Sequence, residues 1–273
     1  MQNVLAANWY SAVAVLISAT IVPLTTARAG AVTVAFPSNY QSGVLYNVVD
    51  REDREEIHAQ WTSREACAAA KAGRPLPMGT VITSVGYQAL LDSEGNPIRD
   101  AKGSLQKGEL LRFTVMQKRP GGGAQYPESL RNGDWEFAAF TAEGKYDTQA
   151  DIKGCMECHK PHDEIDFVKT YFAMAGKRIE VNPAPIPAGA AIALVARFAV
   201  KPEKLIVHAG TPVTWINADD VPHQFLVEGG RLKTDYLLKG QTGTVVLKEP
   251  GVYHYSDTFY PATNSLHGVL EVQ

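Results

Sequence analysis

GTVITSVGYQAL, residues Gly79–Leu90, sets the fold class of this chain. Its apolar side chains alternate, with Val81, Val85 and Tyr87 on one face, which is the period of a half-buried strand. Downstream the same period returns. ELLRFTVMQK (Glu109–Lys118) reads as a second strand and NGDWEFAAFTAEG (Asn132–Gly144) as a third, with Trp135, Phe137 and Ala139 on one side. DSEGNP (Asp92–Pro97) and RPGGG (Arg119–Gly123) supply the turns between them. Upstream, Phe36 to Tyr40 reads as extended chain and Leu45 to Val48 as a short strand. REDREEIHAQWTSREACAAAKAG (Arg51–Gly73) predicts a helix. Thr62 and Glu65 have capping-box spacing, the alanine-rich run to Ala72 favours helix, and Gly73, Pro75 and Pro77 stop it. DEIDFVKTYFAMAGK (Asp163–Lys177) predicts a short amphipathic helix that closes this region.

NPAPIPAGAA (Asn182–Ala191) is rich in proline and alanine and reads as a linker. After it, short strands recur at regular spacing: Leu194 to Val200, Lys204 to Ala209, Thr211 to Asn217, Gln224 to Val227, Gly243 to Leu247, Val252 to Ser256 and Gly268 to Val272. That pattern predicts a small antiparallel sandwich. The expected whole is mostly β: an α+β domain on an antiparallel sheet over residues 30–178, a linker over 179–192, and a β-sandwich over 193–273.

The chain has 273 residues, 45% of them hydrophobic and 20% charged, with net charge −3. No basic field is available to recruit nucleic acid or an anionic membrane. Ser11 to Leu24 is an apolar run too short to span a bilayer comfortably, and Pro23 interrupts it. Ala27 and Ala29 follow with the small-x-small spacing of a signal-peptidase site, so residues 1–29 read as a signal peptide and the remainder as periplasmic or secreted. The region before the apolar run lacks Lys and Arg, and a retained membrane anchor is the other reading.

Within GCMECHKPHDEIDF (Gly154–Phe167) stand two of only three cysteines in the chain. Cys155, Cys158 and His159 make C-x-x-C-H, the attachment signal for c-type haem. Two thiols on one turn of chain can add to the two vinyl groups of one porphyrin, and the adjacent imidazole can then bind its iron. A structural zinc site would need two more ligands at matching spacing, and a C-x-x-C disulfide normally sits in a βαβ context that is absent here. Met78, Met116, Met174, His58 and His162 are candidates for the sixth iron position. Each also reads as core filler or as a surface or helix-end residue.

FPSNY (Phe36–Tyr40), AGRPLPMGTV (Ala72–Val81), FTVMQKRPG (Phe113–Gly121), NGDWEFAAF (Asn132–Phe140) and CMECH together resemble the cytochrome P-460 family, which includes cytochromes c′-beta. The resemblance spans roughly residues 35 to 175. It implies a mostly β-sheet domain holding one covalent, pentacoordinate c-type haem, with Cys155 and Cys158 as thioether residues and His159 as proximal ligand. Members that oxidise hydroxylamine carry a lysine cross-linked to the porphyrin shortly after the G-T-V. Here that position is Ser84, and no lysine occurs between Gly79 and Asp100. An ordinary haem with an apolar distal face is then expected, with Phe113, Trp135, Phe137 and Phe140 as its candidate wall.

KPEKLIVHAGTPVTWINADDVPHQF (Lys201–Phe225) and GVYHYSDTFYPATNSLHGVLEV (Gly251–Val272) resemble the cupredoxin family. The resemblance places His223 at the first copper ligand, but Asp257 at the cysteine, Tyr260 at the second histidine and Leu266 near the methionine. Without a thiolate, type-1 copper is not expected. His223, Asp257, Tyr260 and His267 remain candidates for a harder N/O metal site, against a metal-free sandwich used for packing or docking. His208 and His254 read as strand-surface residues and Cys67 as a small buried apolar one. Asp50 to Glu56 reads as a solvated charge run.

Two functions follow. One is an exported haem protein that transfers single electrons or binds NO, CO or nitrogen oxides. The other is an oxidoreductase acting on hydroxylamine or a related N-oxide. Expected partners are a small gaseous or N-oxide ligand and a redox partner protein. No nucleic acid is expected, and homo-oligomerisation is left open.

Overall fold

The computed structural model describes residues 34–176, 184–227 and 232–273. The expected signal peptide and the first part of the expected linker lie outside them. Residues Val32–Gln273 form one compact unit.

Five strands make an antiparallel meander: β1 (Val44–Arg51), β2 (Glu56–Thr62), β3 (Val81–Ala89), β4 (Lys107–Lys118) and β5 (Trp135–Thr141), paired in that order. The alternation that announced β3 puts Val85 on one face with Phe113, Val115 and Phe140, where Phe36 packs edge-on to both phenylalanines. On the opposite face Asn47, Gln60, Ser84 and Thr114 stand in register across β1 to β4. The helix expected over 51–73 is half strand. Ile57 and Ala59 alternate inward, so residues 56–62 pair with β1 and only α1 (Arg64–Lys71) is helical. Its cap is Ser63, whose hydroxyl accepts from Ala66 N at 3.1 Å, not Thr62. Gly73 does end it in a left-handed turn (φ 68°).

The charge run 50–56 is the β1–β2 turn and is not simply solvated. Arg51 pairs with Asp53, Glu52 with Arg99, and Glu56 with both His58 and Arg112.

After β5 comes α2 (Ile152–His159), a short 3-10 turn over Lys160–Ile165, and α3 (Tyr171–Met174). The single amphipathic helix expected over 163–177 is broken because Asp166 and Phe167 both take left-handed backbone (φ 55° and 60°). Asp166 is held there by its carboxylate, which accepts from Lys118 Nζ at 2.7 and 2.8 Å and from Leu76 N at 2.8 Å.

The second half is a two-sheet sandwich. Its strands are β6 (Ala191–Ala196), β7 (Ala199–Lys201), β8 (Lys204–Val207), β9 (Pro212–Asn217), β10 (Phe225–Val227), β11 (Leu232–Lys233), β12 (Thr242–Val246), β13 (Gly251–Asp257) and β14 (His267–Val272). They order as β11-β10-β13-β14-β8 and β12-β9-β6-β7. The sandwich is not wholly antiparallel, because β6 pairs β9 and β8 pairs β14 in parallel. The chain crosses from one sheet to the other between β7 and β8, so neighbours in sequence are not always partners. β6 begins inside the expected linker. The strand expected over 194–200 is split by a left-handed pair at Arg197 and Phe198, whose backbone N–H groups both donate to the Asp219 carboxylate.

The two halves share core. Trp215, Phe225, Leu266 and Leu270 are fully buried within the sandwich. Phe259, from the turn after β13, is instead buried among Trp135, Met156 and Met174 of the first half.

Candidate functional site

The Cys155–Cys158–His159 motif lies on α2. Asp151 caps that helix by accepting from Gly154 N at 2.8 Å. A side chain at Gly154 would run into the Asp151 carboxylate, so glycine there is what permits the cap. Cys155 and Cys158 are three residues apart and Cys155 and His159 four apart, so all three share one helix face. Both thiols are free, and burial pushes the Cys155 thiol up. Cys158 Sγ receives a hydrogen bond from Lys169 Nζ at 2.9 Å and faces the Phe259 carbonyl at 3.7 Å.

His159 is the most defined of the three. Its Nδ1 lies 2.7 Å from the Phe167 carbonyl. A carbonyl can only accept, so Nδ1 carries the proton and Nε2 is left with a free lone pair. Burial, reinforced by the Lys169 charge, pushes its pKa down to about 3, so the ring is neutral at physiological pH. The Phe137 ring packs edge-on at 5.3 Å. The carbonyl that orients this imidazole comes from the left-handed pair Asp166–Phe167, anchored by Lys118. Sequence reasoning missed Asp166 and Phe167. The only signal was an acidic residue inside an otherwise amphipathic pattern.

Cys155 and His159 open onto a cavity of about 1020 Å³. Its sheet wall is mixed: Asn47, Gln60, Ser84 and Thr114, with Asn47 donating to Gln60 at 2.7 Å, stand beside Ile82, Met116 and Phe137. This corrects the wall of four aromatics expected from the sequence. Phe113 and Phe140 face the other side of the sheet, Trp135 is buried in the core on the same side as Phe137, and only Phe137 of the four lines the cavity. Serine occupies position 84 where the resemblance places a lysine. Of the candidate sixth ligands, Met116 and His58 line the cavity. His58 donates through Nε2 to Glu56 at 2.9 Å. Its pKa is lowered, chiefly by burial. Met78 is half exposed and Met174 is core. His162 is buried at the junction between the halves. It donates through Nε2 to the Thr258 carbonyl at 3.1 Å, and its ring lies 4.3 Å from that of Phe259. Its pKa is pushed down to about 4 by burial first.

The second half supplies the remaining wall through Val221, Leu238 and Tyr260. Behind it, His223 is fully buried and its ring nitrogens face two carboxylates: Nδ1 meets Asp257, and Nε2 meets Asp219 at 3.2 Å. Burial alone would lower its pKa, but the Asp257 charge and the hydrogen bonds to Asp219 and Asp257 raise it to about 9. Of the four residues weighed as a metal set, His223 and Asp257 are thus paired directly. Tyr260 packs beside them, ring centroids 5.6 Å apart. His267 does not join them and donates to the Pro261 carbonyl at 3.0 Å. Asp219 was missed as a partner although it lies in the motif that flagged His223. His208 and His254 are exposed, and Cys67 is half-buried on α1. Among the described residues no group of three or more His, Cys, Asp or Glu could hold a metal ion, and no helix is long and apolar enough to cross a membrane.

Residues 37–170 match the family model of Cytochrome P460. Solved structures similar to this chain include a reduced mutant of amicyanin, with 27% identity over 32% of this chain and 86% of that one and a TM-score of 0.30. They also include a purple cupredoxin from Nitrosopumilus maritimus, with 26% identity over 30% of this chain and 99% of that one and a TM-score of 0.28. No curated protein matches the chain.

Proposed function

We propose, for a chain whose residues 37–170 are of the Cytochrome P460 family, that it is an exported c-type haem protein. It would hold one covalent haem and either transfer single electrons or bind small nitrogen-oxide ligands. The observation that carries this reading is His159: its Nδ1–H is committed to Phe167, and its free Nε2 sits in a cavity wall beside the free thiol of Cys155. The donor set fits the group. Two free thiols and one neutral, oriented imidazole share a helix face, and a cavity of about 1020 Å³ lies in front of them.

Cys155 and Cys158 would be the thioether residues and His159 the proximal ligand, its basicity set by the Phe167 carbonyl. Bound haem would supply one iron able to exchange a single electron and to take a small ligand. This chain's residues do the rest. Asp166 and Lys118 fix the carbonyl that orients His159. Burial keeps that imidazole neutral and available. Asn47, Gln60, Ser84 and Thr114 offer hydrogen bonds along a wall they share with Ile82, Met116 and Phe137, an arrangement suited to a small ligand with both polar and apolar contacts. The polar part of that wall, with the neutral cavity-lining His58, favours a second reading: an oxidoreductase acting on hydroxylamine or a related N-oxide. The apolar run and small-x-small site before residue 30 support export.

The test is production in a host with haem-maturation machinery, followed by acid–acetone extraction and ferrous spectra with and without CO. The expected result is colour retained on the polypeptide, a c-type spectrum and a CO-induced shift, with retention lost in Cys155→Ala/Cys158→Ala. A colourless, iron-free product sinks the reading.

A further inference from the structure

The cavity wall contains a cation that the haem reading leaves without a role. Lys169 follows the Asp166–Phe167 turn and lines the cavity. Its ammonium touches a sulfur, Cys158 Sγ at 2.9 Å, and an aromatic face, with Nζ 4.8 Å from the Tyr260 ring centre. Among the described residues it has no carboxylate partner. The other cations of this wall do: Arg51 is held by both oxygens of Asp53, and Lys239 by Asp220. An ammonium half removed from water with only sulfur and a ring beside it is an incomplete arrangement. It is completed favourably by an anion.

Tyr260 reaches the same point from the other half of the molecule. It lines the cavity, and Arg51 lies 5.0 Å from its ring centre. Two cations on one ring fix its position. The Asp257 carboxylate fixes its backbone by accepting from Tyr260 N at 3.1 Å. Its hydroxyl has no hydrogen-bond partner among the described residues. The neighbouring carboxylates are already engaged: Asp219 and Asp257 with His223, and Asp53 with Arg51. They do not compete for Lys169.

We propose that Lys169 and Tyr260 form an oxyanion site at the junction of the two halves. Lys169 supplies the charge and the Tyr260 O–H a second, directional donor. The ligand chemistry is a carboxylate or a small planar oxyanion such as nitrite. It has two sources here: a carboxylate of the haem itself, which rests on the haem reading above, or a free oxyanion entering the cavity. In either case the second half is part of the site rather than an appended module.

The experiment uses the full-length protein with variants Lys169→Met, Lys169→Arg and Tyr260→Phe. Haem retention is recorded first by acid–acetone extraction, so failure of the haem reading shows separately as loss of colour. Nitrite is then titrated calorimetrically, and the carboxylate bending bands of the haem are followed by resonance Raman. If the ligand is a free oxyanion, Lys169→Met raises the nitrite Kd about tenfold or more, the loss of one charge-assisted hydrogen bond. Tyr260→Phe then raises it less, Lys169→Arg restores it, and the Raman bands stay in place. If the ligand is the haem carboxylate, those bands shift in Lys169→Met and Tyr260→Phe while nitrite affinity is unchanged. Either result supports the site. Unchanged nitrite affinity together with unchanged bands in folded, coloured variants overturns it.

Discussion

His223 makes stability depend on pH in a window where few other groups of this chain act. It is fully buried, and its pKa is raised from 6.5 to about 9. A folded-state pKa above the unfolded one means the native protein holds a proton the unfolded chain releases. The resulting stabilisation is complete below about pH 6.5 and is lost as pH rises towards 9. The difference of two to three pH units corresponds to about 3 kcal/mol. Between pH 7 and pH 8.5 about 1.5 kcal/mol of that disappears, which at roughly 2–4 °C per kcal/mol lowers Tm by about 3–6 °C. The other buried histidines pull the other way. His58, His159 and His162 are all shifted downward, so below about pH 6.5 it is the unfolded chain that takes up protons there; their opposing contribution fades above about pH 7 and leaves the His223 slope visible between pH 7 and 8.5. Burial raises the Cys67 and Cys155 thiols, which moves their titration away from the window. Thermal melts followed by far-UV circular dichroism at half-unit steps read the slope directly. Asp257→Asn removes the main charge that holds the proton and flattens the slope. A Tm that falls no more steeply between pH 7 and 8.5 in the native sequence than in Asp257→Asn refutes the ion-paired assignment.

Two further perturbations test how the site is held. Asp166→Ala leaves the Lys118 ammonium, itself nearly buried, without its partner. It should cost about 3 kcal/mol in urea titration and alter the ferric EPR signature as the Phe167 carbonyl drifts from His159; a loss below about 1 kcal/mol would show that the pair does not anchor the turn. Phe259→Ala empties a fully buried ring position in the first half's core and should cost about 3–5 kcal/mol, with Phe259→Leu losing much less. Equal stability of the alanine and native proteins would mean the turn after β13 does not bind the halves together.

The sheet of the first half was legible because its strands have one polar and one apolar face, and Val85, Phe113 and Phe140 carry that alternation openly. Residues 56–62 were misread for a local reason. Their charged neighbours and the alanines that follow imitate a helix, and the pairing with β1 that overrides this tendency is invisible without the partner strand. Within the site, Cys155, Cys158 and His159 could be found because their spacing is the chemistry. Asp166 and Phe167 could not, since their role depends on left-handed backbone that neither residue type advertises. The polar part of the wall was missed for a related reason. Asn47, Gln60, Ser84 and Thr114 are ordinary exposed-looking positions until cross-strand register lines them up.

The turn after β13 is built around one buried carboxylate. At the position the resemblance assigns to cysteine stands Asp257, and its carboxylate does two jobs. One oxygen holds the His223 imidazolium; the other accepts from Phe259 N at 2.6 Å and Tyr260 N at 3.1 Å. The turn 257–260 is therefore pinned from inside by a proton shared with histidine. That turn then presents the Thr258 carbonyl to His162, the Phe259 carbonyl to Cys158, and Tyr260 to the cavity. Asp219, His223 and Asp257 thus hold in place the turn that meets α2 and the cavity.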